Sequence, residues 1–255
     1  MKTIAALTAT LGAATLLAGC STPDTASQDS GTGEVTVFAA ASLKKTFTEL
    51  GARFEKDHPG TTVTFNFAGS SDLVAQLTQG APADVFASAD TANMTKAVDA
   101  GIVDGAPVDF ASNTLTIVTP PGNPARITTF ADLAKPGIQV VVCAPQVPCG
   151  SAAEKVEKAT GVTLAPVSEE SAVTHVLGKV TSGQADAGLV YVTDAAGAGD
   201  KVTSVPFPES ADAVNTYPIA ALADAGNGAA AAQFVDLVTG AAGREVLSSA
   251  GFTVP

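Results

Sequence analysis

Apolar residues along this chain fall into short β-branched runs separated by longer stretches of helical period. Val35-Thr36-Val37-Phe38-Ala39-Ala40 is apolar or β-branched throughout and predicts a buried strand. Leu43, Phe47, Leu50 and Phe54 then recur at alternating four- and three-residue steps, which predicts an amphipathic helix over 43–56. His58-Pro59-Gly60 ends it. Residues 62–67 alternate as a second strand, Ala68-Gly69-Ser70-Ser71 reads as a turn, and 72–79 as a short helix. A third strand is expected at 83–87 and a helix at 91–100. Further on, strands are expected at 113–119, 138–143, 187–191, 202–205 and 216–222. A short helix at 129–133 has Thr128 or Thr129 as its cap, and helices are expected at 229–237 and 241–249, with Gly243 the weak point of the second. Gly150-Ser151 is expected to open a helix running to 159, and Ser168 to Glu170 to open another running to 182.

Strands alternating with helices argue an α/β architecture with largely parallel sheets. The length suits two lobes. The expected division is residues 34–112 with 207–255 as lobe 1 and 113–206 as lobe 2. The chain would cross near Ser112 to Thr114 and return near Pro206 to Tyr217.

The first residues read differently. Lys2, an apolar run from Ile4 to Leu17, and then Leu17-Ala18-Gly19-Cys20 make a secretory leader ending in a lipobox. Residues 1–19 are therefore expected to be a signal peptide, and Cys20 to carry a lipid that anchors the chain without spanning the membrane. Residues 20–33 hold no large apolar side chain and read as a tether.

The chain carries 13 basic and 25 acidic residues, a net charge of −12. That excludes the basic surface nucleic-acid binding requires, so no nucleic-acid partner is expected. Tryptophan is absent, which disfavours a sugar-stacking site. With Cys20 assigned to the anchor, Cys143 and Cys149 remain as a pair in an oxidising compartment and read as a disulfide, free thiols being the alternative. His58 and His175 lie too far from both to suggest a metal site.

Four places share one feature: a small or hydroxyl residue between a strand end and a helix start. They are Ser42, Ser70 with Ser71, Cys149-Gly150-Ser151, and the turn leading to Val173. Helix starts expose unpaired N–H groups toward which the dipole draws anions. Serine at such a position also serves as an ordinary N-cap, so spacing alone leaves capping and anion binding both open.

Phe38-Ala39-Ala40-Ala41-Ser42-Leu43, Phe67-Ala68-Gly69-Ser70-Ser71 and the run from Gly80 to Asp90 (GAPADVFASAD) resemble the N-terminal half of the periplasmic molybdate-binding proteins of ABC importers. Val147-Pro148-Cys149-Gly150, the run from Gly188 to Ala195, Tyr217-Pro218-Ile219-Ala220 and Gly251-Phe252-Thr253 resemble later segments of that family, in order. The resemblance implies a type II periplasmic-binding-protein fold, its two lobes enclosing molybdate or tungstate. It implies hydroxyl donors at Ser42, Ser70 and Tyr191 and backbone N–H donors at Cys149 and Val173. Cysteine departs from the small residue usual at its position but keeps the N–H. A monomer working with an ABC permease, without a cofactor and with molybdenum present only inside the bound oxyanion, is the expected form.

A donor set of hydroxyls and N–H groups without a carboxylate suits a fully deprotonated dianion better than monohydrogen phosphate, whose proton needs an acceptor. Sulfate remains the alternative ligand. Asp72, near Ser70, is expected to offset the dipole of its helix. An enzyme is not expected: neither histidine has a triad context and no G-x-S-x-G occurs. Iron is disfavoured because Tyr191 and Tyr217 are the only tyrosines.

Overall fold

The computed structural model describes residues 33–255, so the expected leader, the lipidated Cys20 and the tether up to residue 32 lie outside the described residues. β1 (Gly33–Ala40) passes through a 3-10 turn (Ala41–Leu43) into α1 (Lys44–Asp57). β2 (Thr61–Ala68) leads into α2 (Ser70–Thr78), and β3 (Val85–Ala87) into α3 (Thr91–Asp99). β4 (Val108–Asn113) is followed almost at once by β5 (Leu115–Thr119). Next come β6 (Val140–Cys143), α4 (Pro148–Thr160), β7 (Ser168–Glu170), α5 (Val173–Thr181) and β8 (Ala187–Tyr191). The chain ends with α6 (Val192–Ala198), β9 (Thr203–Val205), β10 (Asn215–Ala221), α7 (Gly228–Thr239) and α8 (Ala241–Ser249).

The strands form two five-stranded sheets, ordered β2-β1-β3-β10-β4 and β7-β6-β8-β5-β9. Each contains one strand that opposes the rest, β10 in the first and β5 in the second. The sheets are therefore mixed. The cause lies in the connections: a parallel neighbour needs a long crossover, whereas β5 follows β4 after Thr114 alone and enters the second sheet from the other lobe. The fold is the two-lobed α/β architecture that the resemblance implies.

Four local expectations need correction. Ser168 to Glu170 do not open a helix; they form the edge strand β7, parallel to β6. α4 begins at Pro148, two residues before Gly150, because proline at a first helical position lacks only an N–H that would be unpaired anyway. Cys149 therefore sits within the first helical turn. β4 and α6 have no counterpart among the expected elements. Gly243 is a contact rather than a weakness: a Cβ there would stand 1.9 Å from the Val238 carbonyl oxygen, so α7 and α8 meet this closely only through glycine.

The first lobe is held by an aromatic cluster. The Phe47 ring lies 5.8 Å from Phe110 and 6.0 Å from Phe234, which lies 5.5 Å from Phe54. All four are buried, each worth about 1.5–3 kcal/mol against exposure. The second lobe packs aliphatic strands β6 and β8 against Val176 and Val180 of α5. A Cβ at Gly188 would stand 2.6 Å from Val176 Cγ1, so glycine sets that helix-to-sheet distance. Among the described residues no helix is long and apolar enough to cross a membrane.

Candidate functional site

β1, β2 and β3 in one sheet and β6, β7 and β8 in the other end toward the space between the lobes. Ligands in open α/β sheets lie outside such carboxyl ends. A small chamber is there, lined by Ala40, Ala41, Ser42, Ala68, Gly69, Ser70 and Ala89 from the first lobe. The second lobe contributes Val147, Pro148, Cys149, Val173 and Tyr191. Ser42, Ser70, Cys149, Val173 and Tyr191 are thus brought together. Ser71 does not line the chamber, and Asp72 is an exposed third residue of α2.

Neither serine caps a helix. The Ser70 hydroxyl accepts from the Ala89 N–H at 3.0 Å, which occupies a lone pair and leaves its proton to donate into the chamber. Ser42 Oγ lies 3.1 Å from Tyr217 Oη. If Tyr217 donates there, Ser42 likewise keeps its proton for a ligand. The Tyr191 hydroxyl is fully buried and makes no well-formed hydrogen bond, the Tyr217 hydroxyl being its weak polar neighbour. An unpaired buried hydroxyl costs about 1–3 kcal/mol, so its isolation calls for an acceptor. Burial pushes its phenol well above the ordinary value, which keeps it a donor.

The helices that start at the chamber share an omission. α2, α4 and α5 begin after Gly69, Val147 and Ala172, and none receives a side-chain cap. α3 and α7 start elsewhere and are capped by Asp90 and Asn227, while α8, also elsewhere, starts without a side-chain cap. The uncapped N–H groups of Cys149 and Val173 belong to first turns, where helix carbonyls cannot serve them. Cys149 is bonded to Cys143 across 5.6 Å between Cα atoms, tying the start of α4 to the end of β6. Gly150 completes this tight return, because a Cβ would stand 2.0 Å from the Ala144 carbonyl oxygen.

None of the chamber's lining residues is charged. Asp194 is a half-buried carboxyl three residues beyond Tyr191, and it accepts from the Tyr191 N–H at 3.2 Å. Burial pushes it up to about 7, against which that hydrogen bond acts weakly. The arrangement offers hydroxyls and oriented N–H dipoles to a small anion, and no nucleophile paired with a base.

A family model for bacterial extracellular solute-binding proteins matches residues 35–253. The chain belongs to that family. Among its relatives, the molybdate-binding protein of Mycobacterium tuberculosis is 53% identical over 225 residues, covering 88% of this chain and 86% of that one. The molybdate-binding protein of Escherichia coli is 35% identical over 190 residues, 70% of this chain and 73% of that one. The periplasmic molybdate-binding protein of Azotobacter vinelandii shares the fold with a TM-score of 0.76 at 24% identity, covering 87% of this chain and 99% of its own. Membership makes this an extracytoplasmic binding protein of a transport system.

In this solute-binding protein several cleft residues escape the pattern of helix starts. Tyr217 and Asn215 come from β10, the strand that begins at the cleft. Asn215 Nδ2 donates to the Ala89 carbonyl at 2.8 Å and approaches that of Pro148 at 3.4 Å, so it joins the lobes beside the chamber. Asn113 Nδ2 donates to Thr193 Oγ1 at 2.8 Å. Gly69 faces the Ser171 carbonyl across the cleft so closely that a Cβ would stand 2.0 Å from its oxygen. In the sequence only the Tyr217-Pro218-Ile219-Ala220 run that resembles the family points to Tyr217 as a cleft residue.

Proposed function

We propose that this chain captures molybdate or tungstate outside the cytoplasmic membrane and delivers it to an ABC permease. The observation that carries this reading is the orphaned Tyr191 hydroxyl, buried in an uncharged chamber among three uncapped helix starts. The names of the relatives supply the class of anion. In the bound state Ser42, Ser70 and Tyr191 donate hydroxyl protons to the oxyanion, and the N–H groups of Cys149 and Val173 complete its shell. Dipoles that are already oriented replace water at little reorganisation cost, and helix N-termini favour negative charge.

The shell holds no carboxylate to accept the proton of monohydrogen phosphate, so phosphate is disfavoured. Sulfate would satisfy the same donors and differs in its shorter bonds to oxygen; it is the second reading. Calorimetric titration with molybdate, tungstate, sulfate and phosphate separates them. Tight binding of the first two with weak or absent binding of the others is expected. Tight sulfate binding with no heat from molybdate would replace the present reading with the second.

The protein works as a monomer, and a diacylglycerol on Cys20 with the tether behind it keeps it at the membrane. Labelled palmitate should enter the chain in growing cells. Cys20→Ser should abolish that label and release the protein into the medium, whereas unchanged labelling would remove Cys20 as the anchor.

A further inference from the structure

The acidity of the chain works against the function proposed above, on which this inference rests. A net charge of −12 repels an approaching dianion wherever salt leaves the field unscreened. The wider groove that adjoins the chamber has the opposite local character. It runs between the start of α1 on one lobe and α5 and α6 on the other, and it shares Ala41 and Ser42 with the chamber. Lys44, Lys45 and Lys201 line it, against a single lining carboxyl, Asp194, which is half-buried and held by the Tyr191 N–H. All three lysines are exposed. Among the described residues none of them forms an ion pair.

Their placement runs against local preference. Lys44 and Lys45 are the first two residues of α1, where the helix dipole is already positive. No acidic residue occupies that first turn to compensate. Departures from local rules of this kind concentrate at functional sites. Lys201 stands on the other lobe, so the positive charge brackets the groove from both sides. The chamber itself contains no cation, and a charge outside it acts on the journey rather than on the final contacts.

We propose that Lys44, Lys45 and Lys201 form a cationic mouth that steers the oxyanion to the Ser42 side of the chamber and sets its association rate. The oxyanion passes from this mouth to the hydroxyl and N–H donors without remaining on a lysine.

Stopped-flow mixing of the intact chain with molybdate or tungstate tests this. The chain has two tyrosines and no tryptophan, and both tyrosines lie at the site, so tyrosine emission reports binding directly. The variant K44Q/K45Q/K201Q is compared with K56Q/K155Q/K158Q, which removes the same charge from exposed positions outside the groove. At an ionic strength near 0.01 M, where the Debye length is about 30 Å, the groove variant should associate about three- to tenfold more slowly. Its dissociation rate should stay within about twofold. The difference should vanish near 1 M salt, where the Debye length is about 3 Å, and the control variant should change less than about twofold.

Equal slowing of both variants would assign the effect to net charge and overturn the mouth. A faster dissociation with unchanged association would place the lysines on the bound anion and overturn it too. Unaltered kinetics with lost uptake through the permease would make the patch a docking surface instead. If the unsubstituted protein binds neither oxyanion, the proposed function fails and takes this inference with it; binding at unchanged rates sinks the mouth alone.

Discussion

At the scale of single residues the buried Tyr191 and the half-buried Asp194, three residues on, make opposite demands. The Tyr191 hydroxyl finds no well-placed acceptor in the protein, only the weak neighbourhood of the Tyr217 hydroxyl, so it is a cost to the free fold and a contribution to the bound state. Tyr191→Phe should therefore weaken molybdate binding by about 1.5–3 kcal/mol, the worth of a hydrogen bond to a charged group, while leaving the ligand-free protein as stable or more so. Calorimetry and thermal melting check the two halves; an unchanged affinity would remove Tyr191 from the shell. Asp194 gives a pH signature. Its carboxyl is raised from 3.8 to about 7 by burial, so between those values the folded chain holds a proton that the unfolded chain releases. The protein then binds more protons folded than unfolded, and stability falls as pH rises through about 7. The full effect is at most about 4 kcal/mol. Asp194→Asn keeps an acceptor for the Tyr191 N–H and should flatten the decline of the denaturation midpoint between pH 5 and pH 8. A decline as steep as in the unsubstituted protein would show that another group titrates there.

At the scale of elements, the site is a set of helix starts, and the disulfide braces one of them. Cys143–Cys149 closes a short loop whose far end is the first turn of α4. Replacing both cysteines by serine should cost about 2 kcal/mol of stability on the loop-entropy account and weaken oxyanion binding with it, read by denaturant titration and calorimetry. Affinity equal to the parent would separate the brace from the site. Much of this scale is legible in the chain itself. The period of Leu43, Phe47, Leu50 and Phe54 marks α1 because its apolar face alone decides that helix. The expected bounds of α8 match those observed. Ser42, Ser70, Cys149 and Val173 line one chamber because each follows a strand end, a relation that local pattern carries, whereas Tyr191, the last residue of β8, is pointed to only by the family resemblance. What local pattern misses depends on distant partners. β4 reads as mixed polar sequence and becomes a strand only by pairing with β10, about a hundred residues away. Ser168 to Glu170 look like a polar helix start, yet they pair with β6 as a three-residue edge whose Glu170 meets Lys179. Tyr217 reaches Ser42, and Asn215 reaches Ala89, only because β10 returns through the first sheet.

At the scale of the whole molecule, both sheets repeat one plan. Four strands end toward the cleft or run with those that do, and one strand, arriving from the other lobe, begins there. The two crossings, through Thr114 and between β9 and β10, are the covalent links between the lobes, and a hinge opening them would lie there. The lobes here meet across the chamber, and Gly69 marks how closely. Its backbone is at φ −62° and ψ 140°, an extended conformation that alanine adopts freely, so glycine is not required there for the chain's own path. It is required by the facing lobe: an added Cβ would lie 2.0 Å from the Ser171 carbonyl oxygen and 3.2 Å from its carbon. Gly69→Ala should thus leave each lobe folded, with a melting temperature near the parent's in the absence of ligand. It should penalise the closed arrangement by roughly 1–3 kcal/mol, the usual cost of overpacking, and weaken molybdate binding about five- to 150-fold. Small-angle scattering supplies the independent readout. The parent should contract when molybdate is added, because the donors of the two lobes share one anion only when the cleft is shut. The Gly69→Ala protein should contract less at the same ligand concentration. Full contraction with undiminished affinity would mean that the Ser171 backbone yields, and that the fit at Gly69 does not control closure.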